Sequence, residues 1–271
     1  MDKESRELTT IVTSFGKFQY KRLPMGIKVS PDYTQALIEK ILKGLNVDCY
    51  IDDMGIWTND TIDFHFDKVR VVLERIRDNG LKYNPLKCDW AVKETDFLGY
   101  WMTPTGVKPR RDRIDAVLKM GAPENQKHVR SFLGAVTFYK SMFPQRSHVL
   151  KPLTDLTGKG LFRWDNQHQQ AFDIMKSVIA ADCIKHYADP NKPFDIYTDL
   201  SDYQMGACIM QEGNCIAYWS QSLSDAQINY NTMEKELLAV VTCIKEYHNM
   251  LYGAVLNVYT SHKNLTFRTP S

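Results

Sequence analysis

The chain has 271 residues, 44% of them hydrophobic and 24% charged, with 34 Lys and Arg against 32 Asp and Glu. These proportions belong to a folded globular protein and exclude a disordered chain, and no apolar run reaches the ~18 residues a membrane helix needs. The charged opening Met1-Asp2-Lys3-Glu4-Ser5-Arg6-Glu7 has no apolar core of a secretory leader, so an intracellular protein of several small domains is expected.

A hairpin is expected from Ile11 to Leu23, then a helix opening at Ser30-Pro31 and ending at Gly44, with Tyr33, Leu37, Ile38, Ile41 and Leu42 on its apolar face. Val47 to Thr58 reads as two short strands joined at Asp52-Asp53, a hairpin with an acidic tip. Val69, Val72, Leu73 and Ile76 repeat at helical spacing, which predicts an amphipathic helix over residues 62–79, and short strands follow near Leu98 and Val107. Strands paired by tight turns, with helices between them, make the class α+β.

Net charge is distributed unevenly: −1 over residues 1–104, +7 over 105–165 and −4 over 166–271. The basic middle reads as a helical module in which Val129, Phe132, Leu133, Val136 and Phe143 face inward, and clustered cations of that kind suit a polyanion. After the turn-rich stretch from Tyr187 to Pro193, the one linker candidate, strands are expected at Phe194 to Asp199, Met205 to Gln211 and Cys215 to Ser220. A helix over residues 232–250, with Leu237, Val241 and Ile244 inward, and a strand from Val255 to Thr260 complete a second α/β unit. The six cysteines, Cys49, Cys88, Cys183, Cys208, Cys215 and Cys243, form no C-x-x-C pair and read as reduced core thiols.

The informative tetrapeptide is Tyr50-Ile51-Asp52-Asp53. Two adjacent carboxylates on a hairpin tip repel one another unless solvent or a cation compensates, and a divalent metal is the natural compensation. Around it stand Phe15-Gly16-Lys17, Leu23-Pro24-Met25-Gly26, Asn84-Pro85-Leu86-Lys87 and Phe97-Leu98-Gly99-Tyr100, then Val129-Arg130-Ser131-Phe132-Leu133-Gly134. This order resembles the reverse transcriptases of gypsy-type LTR retrotransposons, from about Leu8 onward.

The resemblance implies a partial palm over residues 1–107, a basic helical thumb and connection over 108–190, and a truncated RNase H-like domain over 191–271. It implies RNA-directed DNA synthesis, with Asp52 and Asp53 holding catalytic Mg²⁺, Tyr50 supporting the primer end or template, and Met25 and Gly26 lining the dNTP side. Lys87 either assists pyrophosphate departure or is a plain surface lysine. Phe97, Gly99 and Tyr100 form a primer grip, unless the two aromatics are core residues. Lys108, Arg110, Arg111, Arg113, Lys127 and Arg130 are the candidate phosphate contacts. The partners implied are an RNA template, a DNA primer, the RNA–DNA hybrid and dNTPs, and the setting is the cytoplasm, a retrotransposon particle or the nucleus. A third palm aspartate would belong on a strand preceding Phe15 and is expected to be missing, as are the fingers.

In the C-terminal part, Tyr197-Thr198-Asp199 and Glu234-Lys235-Glu236-Leu237 resemble the first two RNase H metal sites, making Asp199 and Glu236 the catalytic and metal-binding candidates. Where the family has a third aspartate the sequence reads Tyr259-Thr260-Ser261-His262, and a neutral hydroxyl is a poor Mg²⁺ ligand. Asp195 and Asp202 are the conceivable substitutes. Little ribonuclease activity is therefore expected. The alternative for the whole chain is a catalytically dead, nucleic-acid-binding remnant or domesticated protein.

Overall fold

The computed structural model describes residues 1–158, 160–181 and 183–261. Two compact units divide the chain, residues 1–92 and residues 93–271.

In the first unit a short helix α1 (Lys3–Glu7) precedes an exposed hairpin, β1 (Ile11–Thr13) and β2 (Gly16–Phe18), paired from Ile11 opposite Phe18 to Thr13 opposite Gly16. Helix α2 (Ser30–Leu42) starts with Pro31, whose fixed φ and missing N–H suit a first turn. Strands β3 (Asp48–Tyr50) and β4 (Asp53–Gly55) form the acidic hairpin, and α3 (Ile62–Asp78) follows. Thr61 caps α3 by accepting from the Phe64 amide, while Asp63 in the first turn and Arg75 and Arg77 in the last complement the helix dipole. The small core joins Ile38, Ile41 and Leu42 of α2 to Val72 and Ile76 of α3. Tyr33 and Leu37, expected on that apolar face, are instead 63% and 40% exposed. The core contacts lie on the 38, 41, 42 side, and the run of apolar residues was wider than the face it could bury.

The second unit begins with β5 (Thr95–Phe97), β6 (Tyr100–Thr103) and β7 (Gly106–Pro109). The border expected after residue 107 falls inside β7. Four helices follow, α4 (Arg111–Leu118), α5 (Gln126–Phe138), α6 (Arg146–Asp155) and α7 (Asn166–Ala180), and then a two-residue strand β8 (Lys185–His186). β8 closes the first sheet by pairing Val107 with Lys185, giving an order β5-β6-β7-β8. Phe132, Val136, Phe143, Leu153, Phe172 and Met175 make the helical core, with the Phe132 and Phe172 rings 4.6 Å apart. Phe143 is buried as expected, though beyond the end of α5.

The second sheet holds β9 (Phe194–Ser201), β10 (Gln204–Gln211) and β11 (Asn214–Ser222) as an antiparallel meander. A short helix α8 (Asp225–Ile228) leads to α9 (Thr232–Glu246) and α10 (His248–Leu251), and β12 (Leu256–Tyr259) returns parallel to β9, so the order is β11-β10-β9-β12. Asn231 and Glu234 form a reciprocal capping box at the start of α9. Strand β11 carries a bulge: the register shifts between Ile209 and Met210, and Ile216 and Ala217 are both buried in succession. The inward face of α9 keeps only part of the expected set, Ile244 packing on the core. Leu237 and Val241 are 49% and 38% exposed, whereas Glu236, Ala239 and Cys243 are buried. Apolar side chains lie all round α9, so spacing alone could not choose between its faces. The supposed linker is fastened as well: Gln211 accepts from the Asp189 amide at 2.8 Å and donates to the Asp189 and Lys192 carbonyls.

Candidate active site

In the first unit the hairpin closes in two residues, with Tyr50 opposite Asp53 and Ile51-Asp52 in the turn. Ile51 sits at φ 57°, a left-handed conformation that a β-branched side chain strongly resists. It is held there by α2. The Gln35 amide oxygen accepts from the Ile51 N–H at 2.6 Å, and its nitrogen donates to the Cys49 carbonyl at 3.1 Å and to Glu39 Oε1 at 2.7 Å. On the far side the Trp57 indole N–H donates to Asp48 Oδ2 at 2.7 Å. Tyr50, Asp52 and Asp53 are thereby presented to solvent on a fixed turn, and no described side chain bonds either Asp52 or Asp53.

Met25 and Gly26 lie in the loop before α2, fully exposed at Met25 and at φ 88° at Gly26; Ser30 Oγ ties that loop down by donating to the Pro24 carbonyl at 2.8 Å. Lys87 is exposed on a 3-10 turn capped by Asn84. Gln35 was not among the sequence candidates. Nothing in the sequence marked it, since α2 holds several other polar residues, Asp32, Thr34, Glu39 and Lys40 among them.

The remaining polymerase candidates belong to the second unit. Phe97 and Tyr100 face one another across the turn between β5 and β6, in which Leu98 has φ 51° and Gly99 φ 82°. A Cβ at Gly99 would come within 3.1 Å of the Phe138 ring. The Tyr139 hydroxyl donates to the Gly99 carbonyl at 2.8 Å, and Tyr100 stacks on Phe138 at 5.4 Å while its hydroxyl donates to the Phe138 carbonyl. Burial raises the pKa of both tyrosines above the ordinary phenol value. This turn is a rigid corner of the helical core.

Several of the basic candidates are engaged by neighbouring groups. Arg110 bonds Asp96 and Asp112; Asp112 raises the Arg110 guanidinium above its ordinary value, and Arg110 holds the Asp112 carboxyl below its own. Arg113 lies over the Phe138 ring at 5.0 Å, and Arg130 donates to the Thr157 carbonyl at 2.8 Å. Lys108 is half-buried, while Arg111 and Lys127 are exposed.

At the second acidic centre, Asp199 is exposed on β9 and Glu236 on α9 is only 2% exposed. The β9–β12 pairing ends with Tyr259 opposite Tyr197, and Ser261 follows two residues later. Ser261 Oγ donates to Glu236 Oε1 at 2.7 Å and Thr260 Oγ1 donates to Oε2 at 3.1 Å. Glu236 thus has neutral hydroxyls beside both carboxylate oxygens where a metal site requires further negative charge. Asp195 is committed elsewhere, accepting from Asn257 at 3.0 Å and Tyr259 at 3.3 Å. Asp202 sits in the β9–β10 turn, its carbonyl receiving Lys235 Nζ at 3.4 Å. His262 lies outside the described residues. Among the described residues no three His, Cys, Asp or Glu side chains gather to hold a metal, and no helix is long and apolar enough to cross a membrane.

Two stretches of the chain match known families. Residues 1–102 match the family "Reverse transcriptase (RNA-dependent DNA polymerase)", and residues 164–258 match the "RNase H-like domain found in reverse transcriptase". The retrovirus-related Pol polyproteins of transposons 297 and opus from Drosophila melanogaster are 32% and 33% identical over 98% and 96% of this chain. The transposon Tf2-3 polyprotein of Schizosaccharomyces pombe is 30% identical over 93%. This chain spans 25%, 28% and 20% of those three polyproteins. The fold is that of the foamy viral protease-reverse transcriptase solved with dsDNA, at a TM-score of 0.86 and 22% identity over 100% of this chain and 58% of that one. The same viral protein solved with an RNA/DNA hybrid gives 0.85 at 22% identity over 98% of this chain and 37% of the other.

Proposed function

We propose that this chain, whose residues 1–102 match the reverse transcriptase family and residues 164–258 an RNase H-like domain found in reverse transcriptase, is the metal-hairpin, thumb and RNase H-like segment of a gypsy-type retrotransposon polymerase. Its parent copies an RNA template from a DNA primer with dNTPs, within the cytoplasm, a retrotransposon particle or the nucleus. The observation that carries the reading is the pair Asp52 and Asp53, two exposed carboxylates on a hairpin fixed from α2 by Gln35.

Mg²⁺ is commonly held by one or two carboxylates together with water and substrate phosphates, so these residues fit it. The chemistry bound Mg²⁺ supplies there is charge neutralisation at the attacking 3′-oxygen and the departing pyrophosphate. The chain's own contribution is positional. Gln35 and the strained turn at Ile51 fix the direction of the two carboxylates, and Tyr50 lies beside them for the primer end. Phe97, Gly99 and Tyr100 offer a corner already rigid before substrate arrives, which avoids an ordering cost. Arg111 and Lys127, with Lys108, Arg113 and Arg130 nearby in sequence, contact template–primer phosphates, while Arg110 serves the fold.

The RNase H-like residues do not fit an endonuclease metal centre, since the neutral hydroxyls of Ser261 and Thr260 stand against Glu236 where a further carboxylate is needed. We assign no hydrolytic step to them. Within this reading the palm runs through residue 107, the thumb and connection through 190, and the RNase H-like domain from 191.

The test is Mg²⁺-dependent extension of a DNA primer on an RNA template, with a salt-titrated binding assay alongside. Asp52→Asn and Asp53→Asn should each lower extension roughly a hundredfold or more while leaving binding intact. Binding should weaken steeply with salt, as phosphate neutralisation requires. Extension indifferent to both substitutions would refute the assignment.

A further inference from the structure

On the face of the second sheet turned away from α9, a cleft of about 190 Å³ opens between the sheet and the start of α6. Its floor follows from the strand register. Met205 and Ala207 of β10 are buried in the α9 core, so Gln204 and Gly206 face the other way. On that face Gly206 has Asp199 of β9 on one side and Ser220 of β11 on the other, and Gln204 has Ser201 beside it. Gln145 and His148 of α6, both exposed, form the opposite wall. That wall is fastened to the sheet: the Ser147 N–H donates to Ser220 Oγ at 3.1 Å, and Ser147 Oγ donates to the Ser220 carbonyl at 3.0 Å.

Two features of the cleft are unexplained by the fold alone. Gln204 is only 8% exposed, yet its side-chain amide bonds none of the described residues, and the amide nitrogen is a buried donor without an acceptor. A group of that kind costs stability until something pairs with it. Half a turn about its last bond lets the amide offer the cleft its N–H or its carbonyl, since neither end has a bond to lose. Gly206, in turn, is not demanded by the backbone. A Cβ there would meet the Asp199 and Trp219 carbonyl oxygens at 3.5 and 3.9 Å, which is ordinary contact. What the absent side chain provides is the open floor.

The lining discriminates among the groups a nucleic acid carries. A phosphate would be repelled by the Asp199 carboxylate, and a cation would leave the Gln204 donor unpaired. A hydroxyl suits both, because it donates and accepts at one atom. Asp199 and Gln204 are diagonal neighbours across β9 and β10, a separation of ~7–8 Å at the backbone that leaves room for one ligand atom between their polar ends. The cleft has space for roughly six waters at ~30 Å³ each, enough for a sugar ring. We propose that it takes a ribose of an RNA strand and reads the 2′-hydroxyl, with Asp199 accepting and Gln204 donating, so that the chain tells RNA from DNA without hydrolysing either. This inference rests on the nucleic-acid reading given above.

Fluorescence anisotropy of short single strands binding to the full chain in chelator tests it. RNA should bind roughly five- to tenfold tighter than DNA of the same sequence, the gain expected of one or two hydrogen bonds. A 2′-fluoro strand, which keeps the RNA sugar pucker but has no hydroxyl to donate, should bind as DNA does. Gln204→Leu should abolish the preference with DNA affinity unchanged, and, because it removes an unpartnered buried donor, should melt no lower than the parent without nucleic acid. Gly206→Ala, which the strand accommodates, should weaken RNA binding alone. Equal affinity of the parent for RNA and DNA, a preference that follows the base instead of the sugar, or one that survives in Gln204→Leu would overturn the ribose site and leave nucleic-acid binding standing. A Gln204→Leu protein that melts lower would overturn it too, since the amide would then have a structural partner such as an ordered water. Binding of neither strand would overturn the nucleic-acid reading and this site with it.

Discussion

Ser261→Asp tests the account of the second acidic centre most sharply, because it restores charge at a place where the fold now uses a hydrogen-bond donor. The Ser261 hydroxyl gives Glu236 Oε1 a bond of 2.7 Å, and Glu236 is only 2% exposed. Losing a hydrogen bond to a charged acceptor costs ~1.5–3 kcal/mol. Two carboxylates about 4 Å apart repel by ~4 kcal/mol at an effective dielectric of 20, a ceiling here because residue 261 is exposed and one carboxyl can retain its proton. A net loss of about 3–5 kcal/mol follows, which in a unit of this size lowers the melting temperature by roughly 10 °C. The assay is calorimetric melting in a chelator, repeated with millimolar Mg²⁺. The variant should melt well below the parent in chelator and recover several degrees with the cation, as a ligand bound only to the native state requires, whereas the parent's transition attributable to this domain should not move. A variant as stable as the parent without cation, or equal responses of the two proteins to Mg²⁺, would refute the hydroxyl clasp as the reason the centre does not take metal.

Gln35→Leu removes the bonds to the Ile51 amide and the Cys49 carbonyl and should cost the hairpin about 1–2 kcal/mol, read as roughly tenfold faster hydrogen exchange at Ile51 with α2 unchanged by circular dichroism. Gly55→Ala places a methyl 2.5 Å from Trp57 Cζ2; the ring must leave its bond to Asp48, with a loss of about 1–3 kcal/mol and a red shift of tryptophan emission. Asp165 caps α7, and the His168 backbone N–H lowers its carboxyl pKa below the ordinary value. That contribution is complete above the unfolded value of about 3.9 and fades as pH falls through the folded one. Asp165→Asn, an equally good cap, should flatten the acid limb of melting temperature against pH and leave the neutral value nearly unchanged.

The local rules carried a good part of this molecule. Pro31 and Gly44 bracket α2, Val69, Val72 and Ile76 turn inward on α3, and the acidic hairpin stands where the Tyr50 to Asp53 signal put it. What sequence could not supply was pairing over distance. Val107 meets Lys185 across the whole helical module, and a two-residue strand has no periodicity to detect. Sidedness failed wherever apolar residues were in excess, as at Leu237 and Val241, since burial is then decided by the partner surface rather than by the helix. The same limit governed the site. Asp52, Asp53, Asp199 and Glu236 were legible as residue types, but Gln35 under the hairpin and the two hydroxyls on Glu236 are contacts that only the folded chain creates.

The bulge in β11 also governs how this sheet responds to changes in chain length. Ile216 is the residue with no partner on β10, while Ala217 pairs with Ile209 and Cys215 with Met210. Deleting Ile216 would leave every one of those partnerships in place, and the strand would become regular. The loss would be one buried side chain, ~1.5–3 kcal/mol. Deleting Ala217 would do much the same, Ile216 taking its inward place opposite Ile209, whereas deleting Tyr218 would shift Ala217 to the outer face opposite Cys208. Length variation in this strand is therefore tolerated best at the bulge, and descendants one residue shorter should have lost the bulge and kept the sheet.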